Sequence, residues 1–229
     1  MSINVVERAD DLVKVQNILV SVSDKGGLEQ FISELVEINP EIRIFSTGGT
    51  YGRISEILGD SGASRLLQVS DYTGQPETQG GLVKTLDFKI YLGLLTETYN
   101  DAHQGDLART GGVPIDMVVV NLYPFKETIS KPDVSVEQAR GNIDIGGPCM
   151  IRASAKNYIR VASVVDPADY GKVLAELKAN QGSTSLDLRF QLARKAFDHT
   201  AVYDRTIADF LVSKAIDDVK ICYQLGKKE

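Results

Sequence analysis

The sequence predicts an α/β protein built on a mostly parallel sheet, a layered sandwich with a helical extension at its C-terminal end. Three observations predict it. Twice in the N-terminal quarter, a short apolar run passes through a glycine-bearing turn into a segment of helical periodicity, the repeating unit of a parallel sheet. "DMVVVNLYPF" (116–125) supplies the β-branched run expected of a central strand, closed by a proline that ends ladder pairing. From Ser185 onward, Leu186, Phe190, Leu192, Ala193, Phe197, Val202, Ile207 and Phe210 recur at roughly helical intervals.

In chain order, residues 1–16 read as an N-terminal extension and 17–229 as one domain, helical from about 185. "NILVSVS" (17–23) is a buried strand. It leads through "DKGG" into "LEQFISELVEI", where Leu28, Phe31, Ile32, Leu35 and Val36 share a helical face and Pro40 closes the helix. "IRIFS" (42–46) is the next strand, "TGGT" a glycine turn and "YGRISEIL" the following helix. "RVASVV" (160–165) is another strand, after which Asp166 caps and Pro167 opens a helix.

The bulk numbers exclude several classes. A net charge of −6 leaves no broad electropositive face for a nucleic-acid backbone, although a small anion needs only a few local donors. Cys149 and Cys222 are too few for a disulfide framework. His103 and His199 lack metal-ligand spacing, so no metal is expected. No apolar run reaches membrane-spanning length and the N-terminus lacks a secretory pattern, so a cytoplasmic protein is expected.

Three glycine-bearing turns, "SVSDKGG", "STGGT" and "NIDIGG", follow apolar strands or start helices. Small residues there let a backbone approach a ligand and aim N–H groups at an anion, but strand-to-helix turns also favour Gly and Ser for steric reasons. Lys84 in "GGLVKTL" is either a snorkelling stem or a desolvated ammonium aimed at a substrate. Tyr123 is an amphipathic core residue or a functional group at a strand end. Asp144 suits a helix cap and Lys156 a helix C-terminus, yet an acid, two glycines and a lysine in one segment also suit a catalytic loop.

Taken together and in order, "SVSDK", "STGGT", "VSDYTGQPE", "GGLVKTL", "VVVNLYPF", "NIDIGG" and "ASAKN" resemble the inosine-monophosphate (IMP) cyclohydrolase domain. That domain is usually the N-terminal part of a bifunctional enzyme whose second part is an aminoimidazole-carboxamide-ribotide (AICAR) transformylase. With "TSLDLRFQLARKAFDHTAVYD" the resemblance runs from about Asn17 to about Leu211. It implies a methylglyoxal-synthase-like three-layer sandwich and a stand-alone cyclohydrolase that closes formyl-AICAR to IMP with loss of water. No cofactor is implied. A separate AICAR formyltransferase is expected elsewhere in the cell, and a homodimer is allowed. Other readings within the fold are a non-catalytic purine-nucleotide sensor and another phosphate-handling enzyme.

The resemblance assigns Lys156 as proton donor and acceptor and pairs it with Asp144, which deprotonates or orients the carboxamide. It aims Lys84 and Tyr123 at the formyl oxygen. Nucleotide contacts fall on Ser23, Asp24, Lys25, Thr47, Gly48, Gly49, Thr50, Val83, Thr85, Val120, Asn121 and Ile145. Where the family usually has G-R-V-K-T-L-H-P, this chain has Leu82, Asp87 and Phe88 in place of the arginine, histidine and proline. Tyr91 and Tyr158 replace two further histidines. Arg53 and Lys89 are the cations expected to compensate for the missing arginine at the phosphate.

Overall fold

The computed structural model describes residues 5–62, 64–75 and 84–226. Its centre is a five-stranded parallel sheet. The strands are β2 (Asn17–Val22), β3 (Arg43–Ser46), β4 (Leu66–Gln68), β5 (Met117–Asn121) and β6 (Ala162–Val164), in the spatial order β4-β3-β2-β5-β6. The chain builds outward from β2 through β3 to β4, then returns to the other side of β2 for β5 and β6. This reversal places a topological switch point between β2 and β5, where open α/β sheets leave a crevice at the carboxyl ends of the strands.

The strands are apolar on both faces because helices cover both. On one face, Ile18, Val20 and Val22 pack with α1 (Leu28–Ile38), whose Leu28, Phe31, Ile32 and Leu35 are buried, and with α9 (Tyr170–Ala179). On the other, Leu19, Val118 and Val120 pack with α4 (Phe88–Leu95) and α8 (Gly146–Lys156). The first helix stops at Ile38, with Asn39 extended ahead of Pro40. The "TGGT" segment is no separate turn: Thr47 precedes α2 (Gly48–Leu58), so both glycines lie in its first turn. Asp166 accepts a hydrogen bond from the Ala168 N–H (2.9 Å), and Pro167 opens a 3₁₀ turn ahead of α9.

The C-terminal helical segment is mainly one 27-residue helix, α10 (Leu186–Val212). It packs along β6 and α8, sending Leu188 and Leu192 into one core and Ala193 and Ala196 into the other. The sheet edge at β6 is thereby covered. The N-terminal segment is stitched into the fold as well. Leu12–Lys14 (β1) pairs antiparallel with Ser183–Ser185 (β7), and the wholly buried Arg189 guanidinium donates to the carbonyls of Asp10, Asp11 and Tyr158. Among the described residues no helix is long and apolar enough to cross a membrane.

Candidate active site

A cavity of about 420 Å³ opens at the switch point. Its walls come from five segments: the β2 end, the start of α2, residues 84–86, the β5 end, and the junction between α7 (Val136–Gly141) and α8.

Asn121, the last residue of β5, organises the β2 wall. Its Oδ1 accepts from the N–H groups of Ser23 (2.6 Å) and Asp24 (2.9 Å), and its Nδ2 donates to the Asp24 carbonyl (2.9 Å). The expected ligand contact is thus first a clamp on a neighbouring loop, although Asn121 still lines the cavity with Val120. Asp24 turns back to accept from the Gly26 N–H (2.8 Å) and is absent from the wall, whereas Ser23 and Lys25 line it. Thr50 is also occupied structurally: its hydroxyl donates to the Val22 carbonyl (3.0 Å) and accepts from the Val22 N–H (3.1 Å). Thr47 lies 3.3 Å from the Ser21 hydroxyl.

Two close approaches explain glycines. A β-carbon on Gly48, whose φ is +49°, would stand 3.3 Å from the Lys84 ammonium. One on Gly146 would stand 2.8 Å from the Thr85 hydroxyl. Lys84 therefore lies over the N-terminus of α2 and Thr85 against that of α8. Among the described residues, neither Lys25 nor Lys84 has an ion-pair partner. Two ammonium groups and two helix N-termini in one cavity make a local positive field inside an acidic chain, the electrostatics of an anion site.

Among the described residues, Asp144 is the carboxylate that lines this cavity. Its Oδ1 accepts from the Gly147 N–H (2.9 Å), so the capping role and the site role coincide. Burial raises its affinity for a proton above that of an ordinary aspartate, only partly offset by the backbone groups of Gly147 and Tyr123. Its own N–H donates to the Tyr203 hydroxyl (2.8 Å), which comes from α10. Ile145 and Tyr123 form an exposed rim.

Lys156 is not brought together with the others. It is the exposed last residue of α8, and eleven helical residues put it about 15 Å along the axis from Gly146. Its expected pairing with Asp144 does not occur within one chain, because a single helix separates the two. Val83 and Leu82 lie outside the described residues. The expected compensating cations are engaged elsewhere. Arg53 pairs with Glu29 (2.6 Å) and Glu56 (3.1 Å), and the Lys89 ammonium donates to the Tyr72 carbonyl (3.2 Å). Two of the replaced family positions are structural: Asp87 caps α4 through the Lys89 N–H (2.8 Å), and Tyr158 packs edge-on to Phe190 (5.1 Å). Tyr203 had no place in the sequence-based site. It lay inside the family-like segment "TSLDLRFQLARKAFDHTAVYD", but on the stripe Ala196, Thr200, Tyr203, Ile207, Phe210 at helical spacing, which reads as core.

The family described as the MGS-like domain matches residues 27–149, more than half of the chain. The chain belongs to that family. Residues 154–228 match the family described as the AICARFT/IMPCHase bienzyme. Among curated proteins, the bifunctional purine biosynthesis protein PurH of Thermoanaerobacter sp. (strain X514) is 50% identical over 196 residues, 86% of this chain and 37% of that protein. PurH of Bacillus subtilis (strain 168) is 48% identical over 199 residues, 87% of this chain and 37% of that protein. PurH of Neisseria gonorrhoeae (strain NCCP11945) is 45% identical over 213 residues, 93% and 39% of the two chains. This MGS-like chain thus spans under two fifths of the curated relatives it matches. A solved structure, described as the crystal structure of ForH, is 30% identical with a TM-score of 0.74, covering 86% of this chain and 96% of its own.

Proposed function

We propose that this protein acts in purine biosynthesis as an IMP cyclohydrolase, closing formyl-AICAR to IMP with loss of water. The observation that carries the proposal is Asp144: a carboxylate with raised proton affinity, held at the start of α8, in one cavity with the ammonium groups of Lys84 and Lys25. The names of the PurH relatives support the purine reading.

The chemistry needs these parts. A carboxamide nitrogen is a poor nucleophile and a formamide carbon a poor electrophile. Asp144 accepts the proton as the nitrogen bonds to the formyl carbon, and Lys84 and Tyr123 stabilise the oxygen that becomes anionic. Returning that proton to the oxygen gives a hydroxyl. A second proton, lost by the formamido nitrogen as its C=N bond forms, lets the hydroxyl leave as water and completes the ring. Lys25 and the N-terminus of α2 at Gly48–Gly49 hold the 5′-phosphate. Lys156 enters this scheme only from a second copy of the chain. An AICAR formyltransferase activity supplies the substrate.

The test is incubation of purified protein with formyl-AICAR, following IMP by absorbance. IMP formation that disappears in Asp144→Asn is expected. Tight IMP binding without turnover would replace the enzyme reading by a nucleotide-sensing one.

A further inference from the structure

We infer that Tyr203 is a positioning residue for Asp144, holding the carboxylate at the depth its proton-accepting role requires. The inference rests on the cyclohydrolase reading above. Tyr203 does not line the cavity and touches the site from behind. Its hydroxyl accepts the Asp144 N–H at 2.8 Å, while the Asp144 carboxylate accepts the Gly147 N–H at 2.9 Å. The residue is therefore pinned by two hydrogen bonds from different elements, one from α10 and one from α8.

The ring supporting that hydroxyl is itself fixed. It packs against Phe125 at 6.2 Å between centroids, in a cluster that holds Phe210, Ala139 and Ile143 and so borders the 142–145 junction. A half-buried backbone N–H without a partner is unfavourable, so loss of the hydroxyl favours a loop position where water reaches Asp144. The groups facing this carboxylate are Tyr123 from the β5 end, the Gly147 N–H from α8 and Tyr203 from α10, with Asp204 beside Tyr203 and the ammonium groups of Lys25 and Lys84 in the same cavity. Burial is the leading cause of the raised proton affinity of Asp144, so the position of its loop sets that affinity.

The experiment compares wild type, Tyr203→Phe and Phe125→Leu. The Asp144 carboxyl is titrated by ¹³C NMR, and kcat for formyl-AICAR and the Kd for IMP are measured alongside. Tyr203→Phe is expected to move the Asp144 titration down toward the ordinary aspartate value. It is also expected to lower kcat by about tenfold and leave IMP affinity within about twofold, because the nucleotide rests on other loops. Phe125→Leu loosens the packing and keeps the hydroxyl, so it should lower the unfolding temperature without moving the titration. An Asp144 titration unmoved in Tyr203→Phe, or moved equally in Phe125→Leu, overturns the inference. If the titration moves and kcat does not, positioning stands and Asp144 is not the base. If wild type forms no IMP, the cyclohydrolase reading fails while the titration still decides the role of Tyr203.

Discussion

Gly147→Ala probes the geometry of the proposed base more sharply than removal of the base itself. Gly147 is buried in the first turn of α8. A β-carbon there would stand 2.6 Å from Asp144 Oδ2, 2.6 Å from Leu122 Cδ2 and 3.0 Å from Asp144 Cγ. Real β-carbons do not tolerate such distances, so the carboxylate and the leucine must both retreat. Overpacking costs about 1–3 kcal/mol, and a charge-assisted hydrogen bond lost from the Gly147 N–H about 1.5–3 kcal/mol more. The gain in helix propensity returns about 1 kcal/mol. A net loss of about 1.5–5 kcal/mol should appear in urea unfolding. Displacing the base by about 1 Å should cost roughly 10²-fold in turnover of formyl-AICAR. Gly49→Ala is the control in the same cavity. Nothing lies within 4 Å of its β-carbon, and helix propensity should raise stability by about 0.5–1 kcal/mol. A Gly147→Ala protein with wild-type midpoint and wild-type turnover would refute the placement of Asp144 against this glycine.

Asp144→Asn should abolish most turnover, about 10²–10⁴-fold, yet raise stability at pH 7. The folded carboxyl binds its proton more tightly than the unfolded one, so stability falls as pH rises through the folded pKa. The advantage of asparagine should therefore close as pH drops below the ordinary aspartate range; denaturant midpoints across pH check this. Asn121→Ala removes three hydrogen bonds to the 23–24 backbone and should raise KM more than it lowers kcat, with about 1–3 kcal/mol of stability lost. Asp116→Asn leaves the buried Arg160 guanidinium without its countercharge and turns an NH2 toward the Gln16 and Asn17 N–H groups, and should cost about 3–5 kcal/mol in thermal unfolding. Asp116 lies at the N-terminal end of β5, away from the cavity, so turnover per folded molecule should hold.

The legible parts of the fold were those written in local periodicity. The bounds of the first helix match its apolar stripe, with Val36 only partly buried, and "NILVSVS" and "VVVNLYPF" became neighbouring, largely buried strands. Short elements were not legible. The Leu66–Gln68 strand and the Asp101–Thr110 helix carry weak patterns, and partners far along the chain supply their stability. The helix after "STGGT" begins earlier than its apolar pattern, because Thr47 and the two glycines form its first turn.

The sequence by itself determined the residue types of the candidate site and their order along the chain: turns rich in small residues, an acid before Gly-Gly, and a lysine in an apolar stretch. Such features are local, and local backbone chemistry writes them directly into sequence. Only the tertiary structure decided which of them meet. The sheet reversal between β2 and β5 brings Lys25, Lys84, Tyr123 and Asp144 to one crevice. The rigid rise of α8 carries Lys156 away from Asp144, although only twelve positions separate them in sequence. Burial, which sets the proton affinity of Asp144, and the hydroxyl of Tyr203 behind it both depend on how α10 packs, and no spacing along the chain records that.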